Sequence, residues 1–301
     1  MNQKAAVSYY VRPATPEDNP SVLSMLSENS QPGQVQLTFE RDPDYFFGAG
    51  INCDTPDVYV LEKSQFSEGE NPMVGIFNLG QRNLYVNGEP RQVRYAHDLR
   101  IAKGARGGEA IRVTYGFAEQ VNENDGWMQA VILADNKPFL QAISKKQPGM
   151  PDFYLNGNIE TSLLTGRPKN PRQDGLKLRA ATRADLPAMQ AFYDREAAGR
   201  QFAQAYRFED LLSQSPYYRG LELSDYWLAF DGEELVGIAG TWNQKSFRQT
   251  RVDGYSRSIS MVRPLYNAWA SVSAGMKLPR KGDCFNYRMI HTLMVKNRDE
   301  A

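Results

Sequence analysis

The chain has 301 residues, which suggests two domains of ordinary size, and its 35 Lys and Arg balance 35 Asp and Glu, which argues against a large nucleic-acid interface. No apolar run approaches the roughly 20 residues that cross a membrane, and the N-terminus lacks the apolar core of a signal peptide. Because the two cysteines and two histidines are scattered, we expect no metal site, and we expect a cytoplasmic protein without nucleic-acid or membrane partners.

The hydrophobic pattern predicts strands and helices throughout the first half of the chain. Asn87-Gly88, between two strand-like runs, predicts a hairpin with a type I′ turn. A strand, a loop, a helix and a second strand within residues 92–134 predict a parallel crossover, so we expect a mixed-sheet α/β (α+β) architecture. The predicted elements are strand 9–14, helix 16–28, helix 38–48, strand 57–63, strand 72–86, strand 90–101, helix 107–121, strand 126–134, helix 136–145 and strand 152–165.

A glycine-bearing loop follows the fourth predicted strand. Gly104, Gly107 and Gly108 lie within five residues, and a predicted helix begins directly behind them. Glycines let several backbone N–H groups turn toward one ligand, and a helix N-terminus adds unpaired donors and the positive end of its dipole. The pattern therefore predicts a pyrophosphate-binding loop.

The chain also contains an internal repeat. Residues 12–20 and 179–187 share five positions, and each segment follows a strand-like run and precedes apolar residues at helical spacing. Two further matches follow, Val-Gly-Ile at 74–76 and 236–238 and an apolar stretch at 128–136 that pairs loosely with 289–297.

A repeat unit of this length indicates domain duplication rather than a solenoid. We expect a first domain over residues 1–166, a Pro-, Gly- and Arg-rich linker over 167–175, and a second domain over 176–301. The second copy has no glycine cluster, so we expect it to be degenerate and incomplete and to support the first copy or shape its cleft. An incomplete sheet would expose an edge, which makes a homodimer possible.

This order of elements, with an Arg-Gly-Gly loop behind the fourth strand, resembles the GNAT superfamily of acyl-CoA-dependent N-acyltransferases. The resemblance covers nearly all of residues 8–165 and begins with Tyr-Val-Arg-Pro-Ala-Thr-Pro-Glu-Asp. The family signature, Arg/Gln-x-x-Gly-x-Gly/Ala, follows a strand that ends in an aliphatic residue, here Ile101. Arg106-Gly107 opens the signature at the expected spacing, and a second register starts at Lys103.

The resemblance implies two tandem GNAT-like domains, acetyl-CoA as cosubstrate, and acyl transfer to a small-molecule or peptide amine in a direct ternary complex. Because neither Cys53 nor Cys284 is expected near the site, direct attack is favoured over a covalent acyl-enzyme. The helix after Asn136 lacks the tyrosine acid that the family often has, so a non-catalytic acyl-CoA-binding or regulatory module is the alternative. The residues implied to bind the cosubstrate are Leu99, Ile101, Arg106, Gly107, Gly108, Ala110, Ile111 and Asn136.

Acyl transfer to an amine also needs a base within reach of the nucleophile. The resemblance points to Asp98, on the fourth strand, as the first candidate and to His97 as the second. Regular alternation along a strand would let only one of the two face the cleft. The alternatives are that Asp98 pairs with Arg94 or Arg100 and that His97 packs in the core.

Overall fold

The computed structural model describes residues 8–31, 33–123, 126–145, 150–165, 175–213 and 215–298. Helices and strands alternate along these residues, and short 3-10 turns connect several of them. In chain order the elements are β1 (Tyr9–Pro13), α1 (Asn19–Glu28), β2 (Val35–Glu40), α2 (Tyr45–Ala49), β3 (Val58–Lys63), β4 (Met73–Val86), β5 (Glu89–Ile101), α3 (Gly108–Val121), β6 (Met128–Ala130), α4 (Lys137–Ser144), β7 (Lys177–Ala180), α5 (Leu186–Ala198), β8 (Tyr226–Asp231), β9 (Glu234–Trp242), β10 (Gln249–Tyr255), α6 (Arg257–Ser273) and β11 (Met289–Val295).

The first sheet has the strand order β1-β3-β4-β5-β6. Its first four strands are antiparallel, and β6 joins β5 in parallel after the α3 crossover, so the predicted mixed sheet is confirmed. The predicted hairpin is confirmed as well, because Asn87 (φ 54°) and Gly88 (φ 88°) form the turn between β4 and β5. Strand β6 is shorter than predicted and pairs with only three residues of β5, so the two strands separate beyond Ala96.

The second sheet, with the order β11-β9-β8-β7, is antiparallel throughout. A separate two-stranded ribbon joins the halves of the chain, because β2 pairs with β10. The predicted helix over residues 38–48 is therefore wrong. Its first residues belong to β2, whose partner lies about 210 positions away in the sequence, and only the five residues of α2 are helical. A distant strand partner overrides local helical spacing here.

The first part of the internal repeat folds in the same way twice. Thr15 and Thr182 each begin a 3-10 turn with a capping box that Asp18 or Asp185 completes. Arg12 donates two hydrogen bonds of 2.8 Å to Asp18, and its counterpart in the repeat donates bonds of 2.7 and 2.6 Å to Asp185. The repeated arginines and aspartates therefore fix the entry of α1 and α5.

The later part of the repeat differs from the sequence alignment. Strand β11 pairs antiparallel with β9, with Gly237 opposite Val295, just as β5 pairs antiparallel with β4, with Gly75 opposite Ile101. Residues 289–295 are therefore the counterpart of 95–101, and the predicted match of 289–297 with 128–136 is wrong. Apolar strand composition cannot distinguish two neighbouring strands, whereas pairing direction can.

Two predictions concern residues around the end of the first half. The strand predicted over 152–165 is wrong, because residues 150–165 form no regular structure and Gly157 has a φ of 159° within the stretch Asn-Gly-Asn. The predicted linker at 167–175 lies outside the described residues except for Gly175. Sheet residues occupy 9–130 and 177–295, and the domain limits themselves remain predictions.

Separate cores lie beneath the two sheets. In the second half, aromatic residues from α5, β8 and the loops between them fill the core, including Phe192, Tyr193, Phe208 and Tyr226. In the first half, α1 and α2 pack on one face of the sheet around Val22, and α3 packs on strands β1 and β3. Among the described residues, no helix combines the length and apolarity needed to cross a bilayer.

Candidate active site

The predicted bases His97 and Asp98 lie at a β-bulge. His97 is opposite Asn78 and Arg100 is opposite Ile76, so β5 has one residue more than β4 across this interval. Asp98 adopts a φ of 54°, which breaks the regular alternation of side chains. His97 Nδ1 lies 3.2 Å from Asp98 Oδ2. The two side chains therefore lie on the same side of β5, and the regular alternation assumed for them does not hold.

A buried set of polar groups surrounds the Asp98 carboxylate. The guanidinium of Arg41 lies 3.8 Å away, and the hydroxyl of Tyr45, a fully buried residue, donates to Oδ2 at 3.3 Å. Burial alone would raise the pKa of Asp98, but Arg41 and then His97 lower it well below its ordinary value. Asp98 is thus held in its charged form, mainly by Arg41, and Arg100 also lowers its pKa. Arg94, the other alternative partner, pairs with Asp57 at 3.6 Å.

The imidazole of His97 lies between Asp98 and a cysteine. Its Nε2 is 3.2 Å from the Sγ of Cys53, and its ring stacks on Tyr95 with 5.0 Å between centroids. Nδ1 is buried and has no well-aligned hydrogen bond, although the Asp98 carboxylate is close. Cys53, His97 and Asp98 therefore form a contiguous row, and the expectation that no cysteine lies near the site is wrong.

The thiol in this row is protonated and enclosed. Cys53 has no exposed surface, and burial raises its pKa to about 12. Gly80 leaves the space that the thiol fills, since a Cβ at that position would lie 2.6 Å from Sγ. A buried, un-ionised thiol is a poor nucleophile, because the thiolate is the reactive form.

The second half of the chain contributes to the same neighbourhood. Arg248, just before β10, is largely buried, and burial followed by the nearby charge of Arg41 lowers its pKa. Asp98 and Tyr287 are also among its electrostatic neighbours, and its Nη1 donates to Gln244 Oε1 at 3.2 Å. The charge cluster therefore lies where the two halves meet.

The glycine loop presents open backbone at the start of α3. A Cβ added at Gly104, Gly107 or Gly108 would meet nothing within 4 Å. Gly107 is the N-cap of α3. Glycine has no side chain that could accept a hydrogen bond from the first backbone N–H groups of the helix, so these donors can bind a ligand. Glu109, the one acid in the first turn, forms a 2.7 Å ion pair with Arg112 on the exposed face of the helix.

The predicted contacts at the end of β5 are partly engaged within the chain. The Ile101 carbonyl accepts a 2.9 Å hydrogen bond from Arg106 Nε, and the same guanidinium donates to Asn29 Oδ1 at 2.7 Å. The Leu99 carbonyl accepts from Arg100 at 2.9 Å. Arg106 therefore ties the loop to β5 and α1, and this leaves the glycine backbone as the open part of the predicted signature.

The other predicted cosubstrate contacts differ in exposure. Ala110 is fully buried in the core between α3 and the sheet, so its side chain faces away from solvent. Ile111 is half-buried, and its N–H donates to the Gly107 carbonyl at 3.2 Å. Asn136 stands at the N-cap of α4, but its exposed side chain makes no capping hydrogen bond. The Asn136 side chain therefore does not cap α4.

The first sheet has the features that the resemblance implies for a GNAT domain. Four antiparallel strands lead through a glycine loop and a helix to a parallel fifth strand, and the fourth and fifth strands separate beside a bulge. The first half has a GNAT-like fold. The second sheet repeats its antiparallel part with an equivalent bulge at Thr292, whose φ is 54°.

No family model and no curated protein matches the chain. Among solved structures, Saccharomyces cerevisiae N-myristoyltransferase with bound myristoyl-CoA is 12% identical, with a TM-score of 0.46, over 85% of this chain and 61% of its own. A probable N-acyltransferase of Enterococcus faecalis is 8% identical, with a TM-score of 0.46, over 97% of this chain and 73% of its own. Glucosamine-6-phosphate N-acetyltransferase from Arabidopsis thaliana is 14% identical, with a TM-score of 0.35, over 52% of this chain and 98% of its own. This chain thus spans about three fifths of the yeast protein's length.

Sequence reasoning missed several residues of this candidate site. Arg41 and Tyr45 lie in the stretch that was predicted as one helix, and Cys53 lies in the loop behind it. Each of them contacts His97 or Asp98 at the bulge, although it lies more than 40 positions away in the sequence. The only available signal was the rarity of histidine, because both histidines of the chain occupy bulges.

Proposed function

We propose that this protein transfers an acyl group from acetyl-CoA, or another acyl-CoA, to an amine. The observation that supports the proposal is the bulge in β5, where a buried histidine and an ionised aspartate lie beside the separation of β5 from β6. The glycine loop and the N-terminus of α3 lie at the end of the same strand. A base and an anion-binding loop on one strand suit a substrate that combines a pyrophosphate with a thioester.

The gap between β5 and β6 would bind the pantetheine arm. Ladder pairing between β5 and β6 ends at Ala96 and Ala130, so the backbone of residues 97–101 on that side has no strand partner among the described residues. The open glycines then receive the phosphates, aided by the N–H groups and the dipole of α3. The Glu109 carboxylate does not oppose this, because it is paired with Arg112.

His97 is a better base than Asp98. The carboxylate of Asp98 is a weak proton acceptor, since Arg41 and His97 hold its pKa well below the ordinary range. Histidine is the side chain that most often transfers the proton in general acid–base catalysis, and its neutral ring keeps one nitrogen as an acceptor. Asp98, 3.2 Å from Nδ1, would keep the proton of the neutral ring on Nδ1, so Nε2, beside the Cys53 thiol, would accept the proton of the amine and Asp98 would stabilise the resulting imidazolium.

The transfer proceeds by direct attack of the amine on the thioester carbonyl. The C–N bond forms as the C–S bond breaks, the CoA thiolate leaves, and His97 takes the surplus proton of the amine. Cys53 does not act as an acyl carrier in this scheme, because its thiol is fully buried and its pKa is raised to about 12. Holding both substrates together can itself supply about 7–11 kcal/mol of the barrier.

Thermal unfolding with and without acetyl-CoA tests the cosubstrate site. A ligand at 100 times its Kd stabilises the folded state by about 2.7 kcal/mol, which gives a measurable rise in Tm. Gly107→Asp should abolish the rise, because it places a carboxylate at the phosphates while its extended backbone (φ −166°) accepts any residue. Gly116→Asp is the matched control, since it adds the same charge further along α3, also in open space.

Release of free CoA in the presence of a panel of primary amines tests turnover. Amine-dependent release above the hydrolysis background supports acyl transfer. A rise in Tm with acetyl-CoA but no release with any amine would instead favour the non-catalytic acyl-CoA-binding module. An equal Tm rise in wild type and Gly107→Asp would remove the glycine loop from the site.

A further inference from the structure

Helix α6 exposes an apolar stripe on the side that faces away from the protein. At about 100° per residue, five large apolar side chains fall within a sector about 100° wide. Their exposed fractions range from 57% for Val262 to 83% for Val272. The members of this stripe are Met261, Val262, Leu265, Trp269 and Val272.

The opposite side of α6 holds the helix in place. Ala270 is its one buried residue, and Arg263 donates to the Pro279 carbonyl at 2.9 Å. The Asn267 side chain bonds both the N–H and the carbonyl of Leu278, at 2.8 and 2.9 Å. The helix is therefore fastened along one side, and the apolar stripe is a fixed feature of the outer surface.

The charged residues of α6 and of the segment behind it are basic, and Asp253 lines a cleft together with Arg263 and Lys281. Residues 254–282 include five Lys and Arg and no Asp or Glu, in a chain whose total charge is zero. Arg257 stands at the first turn of α6, and Lys277, Arg280 and Lys281 follow its last turn, all four exposed. An apolar stripe with leucine and tryptophan beside basic residues matches a helix that lies flat in a lipid interface.

We propose that α6 docks this protein on an anionic lipid surface. The stripe enters the boundary between headgroups and acyl chains. Arg257 and the exposed basic residues of the segment that runs back along α6 meet the lipid phosphates at the edge of the buried stripe. The absence of a long apolar run, from which no membrane partner was expected, concerns only segments that cross the bilayer. The proposal is independent of acyl transfer, since it uses no residue of the candidate active site.

A second copy of the chain fits this surface less well. A helix of 17 residues is about 25 Å long, and a stripe about 10 Å wide then offers about 250 Å². A standard protein interface needs about 800 Å² from each partner. Antiparallel packing of two α6 helices would also bring Arg257 of each copy near the basic residues after the other helix.

Flotation of the full chain with lipid vesicles tests the proposal. Wild type should float with vesicles of phosphatidylcholine mixed with phosphatidylglycerol, should not float with phosphatidylcholine alone, and should bind less as salt rises. Leu265→Glu should weaken binding about tenfold or more, since it removes one inserted leucine. Leu178→Glu is the matched control, because Leu178 on β7 is 64% exposed and lies outside the stripe.

A second variant separates the charge contribution from the apolar one. Replacing Lys277, Arg280 and Lys281 together by Gln should abolish the preference for anionic vesicles without changing Tm. Absence of wild-type flotation, or equal losses with Leu265→Glu and Leu178→Glu, would overturn the proposal. A dimer in light scattering that Leu265→Glu dissociates, together with no flotation, would assign the stripe to a second copy instead.

Discussion

The two histidines of this chain occupy the same bulge in its two halves but have opposite surroundings. Each is followed by a residue with a φ of 54°, Asp98 in the first half and Thr292 in the second. His97 lies beside the Cys53 thiol and the Asp98 carboxylate, which pairs with Arg41, and its Nδ1 lacks an aligned hydrogen bond. His291 instead accepts or donates at both ring nitrogens, with Tyr226 at 2.7 Å from Nδ1 and Tyr217 at 3.2 Å from Nε2.

The same backbone bulge therefore holds a histidine in two different chemical environments. Around His291, five aromatic residues have ring centroids within 6.0 Å, and burial lowers its pKa to about 3, so it is a neutral core residue. Around His97, only the ring of Tyr95 is stacked among the described residues, and a buried ion pair lies beside it. Buried charge is costly and contributes little net stability, so its presence at one bulge alone favours a chemical role there.

The same substitution at both histidines gives the largest expected contrast. His97→Gln removes the base and should lower turnover by about 10²–10⁴-fold, the usual contribution of a general base. The rise in Tm with acetyl-CoA should persist, since no loop contact changes. His291→Gln should keep turnover per folded molecule and lower the stability by about 1–3 kcal/mol, because it disturbs the tyrosine hydroxyls. Steady-state CoA release and thermal unfolding measure the two effects.

Two results would contradict the predicted difference between the two histidine variants. Equal losses of turnover in the two variants would mean that both bulges act only through the fold. A His97→Gln variant with wild-type turnover would remove His97 as the base, and Asp98→Asn would then become the variant to assay.

The ion pair gives the next largest expected effect. Arg41→Met leaves the Asp98 carboxylate buried without its nearest cation, so we expect a loss of about 3–5 kcal/mol in the free energy of unfolding. Arg288→Met beside the second bulge is the control. Its 3.9 Å pair with Asp225 is largely exposed and is worth about 0–1 kcal/mol.

Denaturant unfolding of both arginine variants measures the difference. The double variant Arg41→Met with Asp98→Asn should recover part of the loss, because it removes both charges. A loss for Arg41→Met no larger than that for Arg288→Met would show that solvent reaches the Asp98 carboxylate.

Local sequence signals predicted the four antiparallel strands of the first sheet and its parallel crossover, but neither the absence of a strand over 152–165 nor the site. The Asn87-Gly88 turn and the glycine loop before α3 could be predicted, because Asn-Gly pairs and clustered glycines are typical of turns and open loops. The bulge does not follow from residue type, because His-Asp in one half and His-Thr in the other adopt the same conformation. Only the pairing register with β4 and β9 reveals it.

The residues around His97 could not be predicted for a related reason. Arg41 follows β2, and β2 exists as a strand because β10 from the other half pairs with it. No pattern within residues 35–49 encodes that partner, so helical spacing was the only local signal. The position of Cys53 depends in turn on Gly80, whose missing side chain leaves room for the thiol. Contacts across long sequence separations determine the site, and a single sequence does not display them.

Acid stability distinguishes the neutral histidine from the one beside charge. The ordinary pKa of histidine is 6.5, and that of folded His291 is about 3. Between these values the unfolded chain binds a proton that the folded chain does not. The free energy of unfolding should therefore fall as pH falls from 6.5 toward 3, by up to about 1.4 kcal/mol per pH unit. His291→Gln should lose this part of the slope, and identical slopes in both proteins would contradict the assignment.

The smallest expected effect concerns the partner of Nε2, which is Cys53 in the first half and the Tyr217 hydroxyl in the second. Cys53→Ser places a hydroxyl at the first bulge, as in the second, and direct attack predicts turnover close to wild type. Intact mass after incubation with acetyl-CoA should show no acetyl adduct in either protein. Cys284→Ser, in the second half, is the control for removal of a thiol. A stable adduct on wild type that Cys53→Ser abolishes, together with lost turnover, would make the row of Cys53, His97 and Asp98 a nucleophilic triad. In that case the thiol would have to become exposed during turnover, because in the resting structure it has no accessible surface.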